Sequence, residues 1–326
     1  MGKILVTGGA GYIGSVITEA LVNRGREPIV LDNFTQGHQA AVVPGVSLVD
    51  ADLQDYSALE RLFAQHQIEA VIHLAALSVV GDSVAQALHY YRENVGGLLS
   101  LLEAMHRADV KQIVFSSTAA VYGQPQQFPI TEECPAKPIN PYGWTKLIGE
   151  QILTDCHAAY GLNFVSLRYF NVAGATESFG EAHHPETHLI PRVLEAALGQ
   201  RRHLEVYGTD YDTPDGTCIR DYIDVRDLAE AHILAVDETR RRCAIYNLGS
   251  YRGYSVREVV NSAERITGRR IPCVECPRRA GDPPRLLASH EKISAELGWQ
   301  PRGGLEEMIA SAWAWRQRHP NGYPSR

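Results

Sequence analysis

Lys3-Ile4-Leu5-Val6-Thr7-Gly8-Gly9-Ala10-Gly11-Tyr12-Ile13-Gly14 is a short β-rich run that feeds a glycine turn and then a helix-period stretch. Glycine in such a turn permits tight backbone conformations and lets a pyrophosphate approach the free N–H groups at the helix N-terminus. A glycine turn alone occurs in many folds, so its context decides. After a second strand comes Asp32, 18 residues beyond Gly14, placed to accept hydrogen bonds from a ribose diol. A carboxylate there repels a 2′-phosphate, and no Arg or Lys follows between Asp32 and Val49, so the expected dinucleotide is NAD rather than NADP. Asp52-Leu53, after the third strand, offers an adenine contact, with a helix N-cap as the alternative reading of Asp52. Small residues at the fourth strand's end, Ala75 and Ala76, leave room for the cofactor backbone.

Working outward, Lys3 to Val6, Pro28 to Leu31, Val46 to Val49, Ala70 to Leu74, Gln112 to Phe115 and Asn163 to Leu167 read as strands separated by helical stretches. This alternation predicts an α/β fold with a Rossmann-type, doubly wound parallel sheet, because parallel strands need crossovers and helices cover both faces. After about Asn171 the spacing changes. A Gly/His/Pro-containing loop, a helix from about Leu189 and shorter strands near Leu204 to Tyr207 and Ile245 to Leu248 predict a smaller α/β domain. The expected division is 1–173 for the dinucleotide and 174–326 for the substrate, with segments around 220–248 returning to the first domain. Asp82 to His106 and the stretch from Tyr142 read as long helices, suited either to a dimer seam or to covering the sheet.

Composition narrows the classes further. Apolar residues make up 44% of the 326 and the formal net charge is −7, which excludes a disordered chain and argues against a protein that coats nucleic acid. No run approaches the roughly 18 apolar residues of a membrane span, and the opening residues lack a signal-peptide pattern, so a cytoplasmic location is expected. Gly2 does not make a myristoylation motif, since Val6 stands where Ser or Thr is needed. The six scattered cysteines read as reduced thiols.

The chemistry lies where the fifth strand ends. Thr118 is followed, 24 residues later, by Tyr142 in Asn140-Pro141-Tyr142-Gly143-Trp144-Thr145-Lys146. Asn140 suits an N-cap and Pro141 the first turn, which sets Tyr142 and Lys146 one helical turn apart on one face. Hydride removal from a carbinol carbon needs a base for the hydroxyl proton, and a free phenol with a pKa of about 10 is poorly ionised near neutrality. A lysine ammonium and a cationic nicotinamide both favour the phenolate. Thr118 would hold the substrate oxygen.

These motifs, with Arg168-Tyr169-Phe170-Asn171, Gly216 to Asp227, Tyr246-Asn247-Leu248-Gly249, Pro277 to Asp282 and the Trp-rich end at Trp313 and Trp315, resemble the UDP-glucose 4-epimerases of the extended short-chain dehydrogenase/reductase family. The resemblance runs from Gly8 almost to the C-terminus. It implies a bound NAD, transiently reduced, a UDP-sugar substrate oxidised at C4 and reduced again from the other face, and a homodimer. It assigns Gly8, Gly11, Tyr12, Ile13, Gly14, Asp32, Asn33, Asp52, Leu53, Leu74, Ala75, Ala76, Asn94, Ser116, Tyr142, Lys146 and Tyr169 to the cofactor. To the substrate it assigns Thr118, Tyr142, Phe170, Asn171, His188, Leu189, Val206, Tyr207, Arg220, Tyr222, Arg279 and Asp282, with the two arginines on the pyrophosphate.

Departures matter as much. Dehydratases of this family carry an Asp-Glu pair after the strand-end Thr, and decarboxylases usually a Glu at the second place; Ala119 and Ala120 can do neither job. A non-catalytic NAD-binding relative would lack the Tyr or the Lys, and both are present. Ser78 stands where some bacterial epimerases place a Lys on the cofactor, which implies weaker NAD retention. Leu286 falls where a bulky Tyr in some members narrows the sugar pocket and a smaller residue in others admits N-acetyl groups, so a preference for UDP-glucose and UDP-galactose is expected and N-acetylated sugars stay open. His183, His184 and His188 are read as a substrate-side loop and no metal is expected; the single CxxC at Cys273 and Cys276 is not a zinc pair, and the short Arg runs are read as solvated turns.

Overall fold

The computed structural model describes residues 2–279 and 282–324; Ala280 and Gly281 of the Pro277 to Asp282 motif lie outside the described residues. In chain order the elements are β1 (Lys3–Thr7), α1 (Tyr12–Asn23), β2 (Pro28–Asp32), β3 (Ser47–Asp50), α2 (Tyr56–Gln65), β4 (Ile68–His73), α3 (Val80–Ala85), α4 (Ala87–Tyr90), α5 (Gly97–Arg107), β5 (Gln112–Thr118) and α6 (Pro141–Tyr160). There follow β6 (Asn163–Tyr169), β7 (Asn171–Ala173), α7 (Leu189–Ala197), β8 (Leu204–Tyr207), β9 (Ile219–Asp224), α8 (Val225–Glu238), β10 (Ala244–Leu248), β11 (Gly253–Ser255), α9 (Val256–Thr267), β12 (Cys273–Cys276), β13 (Arg285–Leu286), α10 (Glu291–Leu297) and α11 (Leu305–Arg318).

Seven parallel strands form the main sheet in the order β10-β6-β5-β4-β1-β2-β3, so the order reverses between β1 and β4. That switch point opens a crevice at the C-terminal strand ends, where ligands of such sheets bind. Apolar side chains fill both faces: Ile4, Val6 and Ile17 pack with α8 on one, Leu5, Leu59 and Leu101 on the other. The return of the chain expected around 220–248 takes a definite form, with α8 against α1 and β10 at the edge of the main sheet. The strand expected near 245–248 therefore extends the large sheet rather than the smaller body. The latter gathers α7, α9, α11 and the short strands around Val193, Val259 and Met308.

The stretch read as one long helix over 82–106 is instead broken. A non-helical Gln86 (φ −125°, ψ 43°) separates α3 from α4, and a π-turn over Tyr91–Gly96 precedes α5. Hydrophobic periodicity passes through both breaks, which is why it reads as continuous. The π-turn turns Asn94 inward, where its amide bonds the backbone N and O of Leu77 at 2.8 and 3.0 Å. Wound turns of this type concentrate at functional sites.

Two histidines sit fully inside the sheet layers. His73 shares a 2.8 Å hydrogen bond with Thr7, and His232 donates to Leu228 O at 2.9 Å. Burial lowers their pKa to about 3 and about 4 respectively. Between those values and about 6.5 the unfolded chain binds protons that the native chain refuses, so stability is full above about 6.5 and falls as the pH drops, by about 1.4 kcal/mol per unit for each ring. Urea midpoints at about pH 7.5 and about pH 5 should differ accordingly, and His232→Gln should flatten the dependence. A midpoint constant over that interval would show that both rings protonate in place.

Candidate active site

The turn after β1 is built for a phosphate. Gly8 takes φ +71°, and a Cβ there would meet Ala75 N at 2.8 Å; a Cβ on Gly14 would lie 2.1 Å from Gly8 O. Only glycines let the turn fold back on α1 and leave its first N–H groups facing outward. Asp32, buried at the end of β2, accepts from Ala10 N at 3.0 Å and Phe34 N at 2.8 Å. Burial raises its pKa, and the two N–H donors oppose that shift. Gly37 passes so close that a Cβ would lie 2.6 Å from the carboxylate, a constraint invisible in the motif spacing. Asp52 accepts from Asn33 Nδ2 at 2.7 Å and Gln54 N at 2.8 Å. It is not the helix cap: Asp55 caps α2 through Ala58 N.

At the C-terminal end of β5 the paired strand continues through Ser116 and Thr118, opposite Leu167 and Tyr169 of β6, three residues beyond the stop at Phe115 read from the sequence. The difference arises because the hydroxyls of this polar run find partners inside the protein. Asn140 caps α6 by accepting from Gly143 N at 2.8 Å, Pro141 starts the helix and Gly161 ends it in the left-handed region. Tyr142 and Lys146 then face the same crevice, both buried. Burial pushes the Tyr142 phenol far above its ordinary range, with the hydrogen bond to Thr118 acting against the shift. Burial likewise lowers Lys146 to about 7, opposed by Glu150 one turn further along α6. Its ammonium lies 5.0 Å above the Phe115 ring.

A cleft of about 1250 Å³ runs from the glycine turn past Tyr142 to Arg220 and Arg279. The residues assigned above from the sequence line it, apart from Asn94, Ser116 and Val206. Those three stand behind the wall. Asn94 holds the Leu77 backbone, Ser116 lies beside His232 and Tyr169, and Val206 is buried in the core of the smaller body. At the far end Arg220 is paired with Asp282, and the Arg279 guanidinium lies 4.1 Å over the Tyr207 ring. Asn171 donates to Asp221 O at 2.9 Å. Leu286, on a two-residue strand, sits in register beside Arg220. Ser78, Ala119 and Ala120 also line the cleft, the alanines on the turn that follows Thr118.

Sequence reading missed the support beneath the strand end. Glu150 accepts from Arg168 Nε at 2.8 Å and from Ser117 Oγ at 2.6 Å, and Arg168 in turn donates to Tyr122 Oη at 2.9 Å. Tyr122 Oη donates to Asn247 Oδ1 at 2.7 Å, which carries the network to β10. The Arg168-Tyr169 motif was visible in the sequence; its carboxylate partner 18 positions earlier was not.

A nucleotide-binding crevice at a sheet switch point, with a Tyr-Lys-Thr trio at one end and arginines at the other, defines an NAD-dependent oxidoreductase-type site of the short-chain class. The profile of the NAD dependent epimerase/dehydratase family matches residues 4–249, and the chain belongs to that family. Among its relatives, a UDP-glucose 4-epimerase of Halalkalibacterium halodurans is 50% identical over 98% of this chain and 97% of that protein. A crystal structure of a UDP-glucose 4-epimerase superposes with a TM-score of 0.97 at 48% identity, covering 99% of this chain and 100% of that one. The enzyme from Bifidobacterium longum, crystallised with NAD+ and UDP, superposes with a TM-score of 0.94 at 42% identity, covering 98% and 100%.

Proposed function

We propose that this chain interconverts UDP-glucose and UDP-galactose by oxidation and re-reduction at the hexose C4. The observation that carries this reading is the single cleft joining Thr118, Tyr142 and Lys146 to Arg220 and Arg279, with Ala119 and Ala120 where a dehydratase would need an acid and a base. The glycine cradle and the Asp32 carboxylate fit NAD, which when bound takes up the C4 hydride and gives it back. Every other step belongs to the chain's own side chains. Thr118 holds the sugar O4, and Tyr142 takes the O4 proton as the carbonyl forms. Lys146 lowers the cost of the phenolate through its positive charge. The 4-keto sugar turns while the UDP end stays fixed, and Tyr142 returns the proton to the same oxygen. Arg220 and Arg279 anchor the pyrophosphate by charge-assisted hydrogen bonds, and Asp282 faces the ribose. Residues 1–173 thus serve the dinucleotide and 174–326 the UDP-sugar, the chain returning to the first part around 220–248.

The test is incubation with UDP-galactose and no added reductant, following the anomeric proton signals by NMR, with and without added NAD. Conversion to a UDP-glucose mixture is expected, and Ser78 in place of a cofactor-binding Lys predicts a gain on adding NAD. Absence of conversion with NAD supplied would reject the assignment.

Leu286 sets the width of the sugar pocket. Replacing it by Ala should raise kcat/KM for UDP-N-acetylglucosamine relative to UDP-glucose by about tenfold, the scale of one hydrophobic contact in a specificity pocket, and Leu286→Tyr should lower that ratio. Equal ratios in all three proteins would remove the residue from substrate selection. Half-exposed Leu99 and Trp144 on α5 and α6 support a homodimer formed through these helices. Light scattering at a monomeric mass would reject that assembly. No helix among the described residues is long and apolar enough to cross a membrane; with the charge of −7, we read the chain as a cytoplasmic protein that binds neither membrane nor nucleic acid.

A further inference from the structure

The loop between β7 and α7 gathers a second chemical centre. Glu181, His183 and His188 bring one carboxylate oxygen and two imidazole nitrogens within 4.8 Å of one another. His184 and His188, four positions apart as on one helix face, are not the pair that meets. The chain here is a loop rather than a helix, and the rings that meet are His183 and His188, with centroids 5.7 Å apart. His183 contacts Glu181, and His188 Nδ1 lies 2.8 Å from Glu186 Oε1. The carboxylates of Glu181 and Glu186 are largely buried, at 12% and 6% side-chain exposure. It is the buried His183 Nδ1 that faces the Glu181 carboxylate. Two imidazoles, that of His188 half-exposed, and two largely buried carboxylates form a donor set suited to a cation.

From this arrangement we infer a binding site for a divalent transition-metal ion of the zinc type, with Glu181, His183 and His188 as ligands and Glu186 beside His188. Two imidazoles and one carboxylate are a recurrent three-ligand set for zinc, with a fourth position left to water. Bonds of about 2.1 Å place ligand atoms about 3.4 Å apart across a tetrahedral centre, so small side-chain rotations within the loop close the site. The loop is tied down on both sides of the cluster. Gly180 N donates to Tyr323 Oη at 3.1 Å, His38 Nε2 bonds Ala182 O at 3.1 Å, and His188 directly precedes α7. A metal would clip the free part of the loop to the start of α7 at the rim of the cleft, which Glu181, His183 and His188 all line. The assignment places His188, read above as a substrate contact, on a metal at the cleft rim, and it does not rest on the reaction proposed above.

The probe is Co(II), whose visible absorption reports low-coordinate ligation. The chelator-stripped, full-length protein carrying Cys273→Ser and Cys276→Ser, which removes the CxxC thiols, should take up a single equivalent with a Kd of about 1 µM or tighter, about −8 kcal/mol. Zn(II) should displace it. His184→Ala should titrate identically, whereas His183→Ala and His188→Ala should each lose at least about tenfold in affinity. No absorption band, or an unchanged titration in the His183→Ala/His188→Ala double variant, would overturn the site. X-ray absorption at the zinc edge, on the unsubstituted protein, decides the matter independently of any variant's folding. Imidazole and oxygen scatterers support the assignment, and sulfur ligation rejects it.

Discussion

Tyr142→Phe should fold, retain NAD and bind UDP-sugar, yet lose turnover by about 10²–10⁴-fold, the usual scale of a positioned acid–base group. The substitution removes one oxygen from a buried ring, so packing changes little. What it removes is the phenol that hydrogen-bonds Thr118 at the end of β5. The surroundings sharpen the expectation. Burial alone makes Tyr142 a reluctant acid, so ionisation depends on positive charge supplied nearby. Lys146 is the chain's own source of that charge, and with its pKa lowered to about 7 it is only partly protonated near neutrality in the protein without ligands. Lys146→Ala should therefore also lose most turnover, and its residual rate should rise with pH, because without that charge the phenol ionises only in more alkaline solution. Stopped assays over a pH series, beside circular dichroism and bound-NAD absorbance, separate these outcomes from misfolding. A Tyr142→Phe rate within tenfold of the parent would remove the phenol from the acid–base assignment.

Glu150→Ala should destabilise the fold by about 3–5 kcal/mol, the usual cost of leaving a buried charge without its partner. Glu150 and Arg168 are 3% and 5% exposed, and the guanidinium would keep only the Tyr122 hydroxyl among its present side-chain partners. The urea midpoint reads the loss directly. A change below about 1 kcal/mol would show that water reaches the freed guanidinium, as at an exposed pair. Replacing both members together, Glu150→Leu with Arg168→Met, should recover part of the stability, because the uncompensated charge is then gone. The same carboxylate favours the charged form of Lys146, so the double variant should stay slow where its stability is restored.

Much of the site was legible in one dimension. A glycine turn after a strand, an acidic residue at the next strand end and Tyr142 with Lys146 one turn apart are statements about single elements. Backbone geometry converts such spacings into positions without knowledge of the remaining chain. The broken stretch over 80–107 shows the limit of that conversion: apolar periodicity survives a π-turn, while the inward rotation of Asn94 depends on Leu77 and Thr145 being beside it. Asp52 shows another. Both readings of it were locally sound, and the cap of α2 fell to Asp55, which accepts from Ala58 N, while Asp52 accepts from Asn33 of the neighbouring strand end.

The amino-acid sequence by itself determined the parallel α/β architecture, the dinucleotide turn, the acidic residue at the end of β2 and the placing of Tyr142 one helical turn before Lys146, because each follows from residues close together along one strand, turn or helix. Tertiary structure alone decided that Glu150 neutralises Arg168, that Leu286 lies in register with Arg220, and that His183 rather than His184 joins His188 and Glu181. These are encounters between segments, or across an irregular loop, where no helical or strand period fixes direction. Their partners are chosen only when the whole chain has packed.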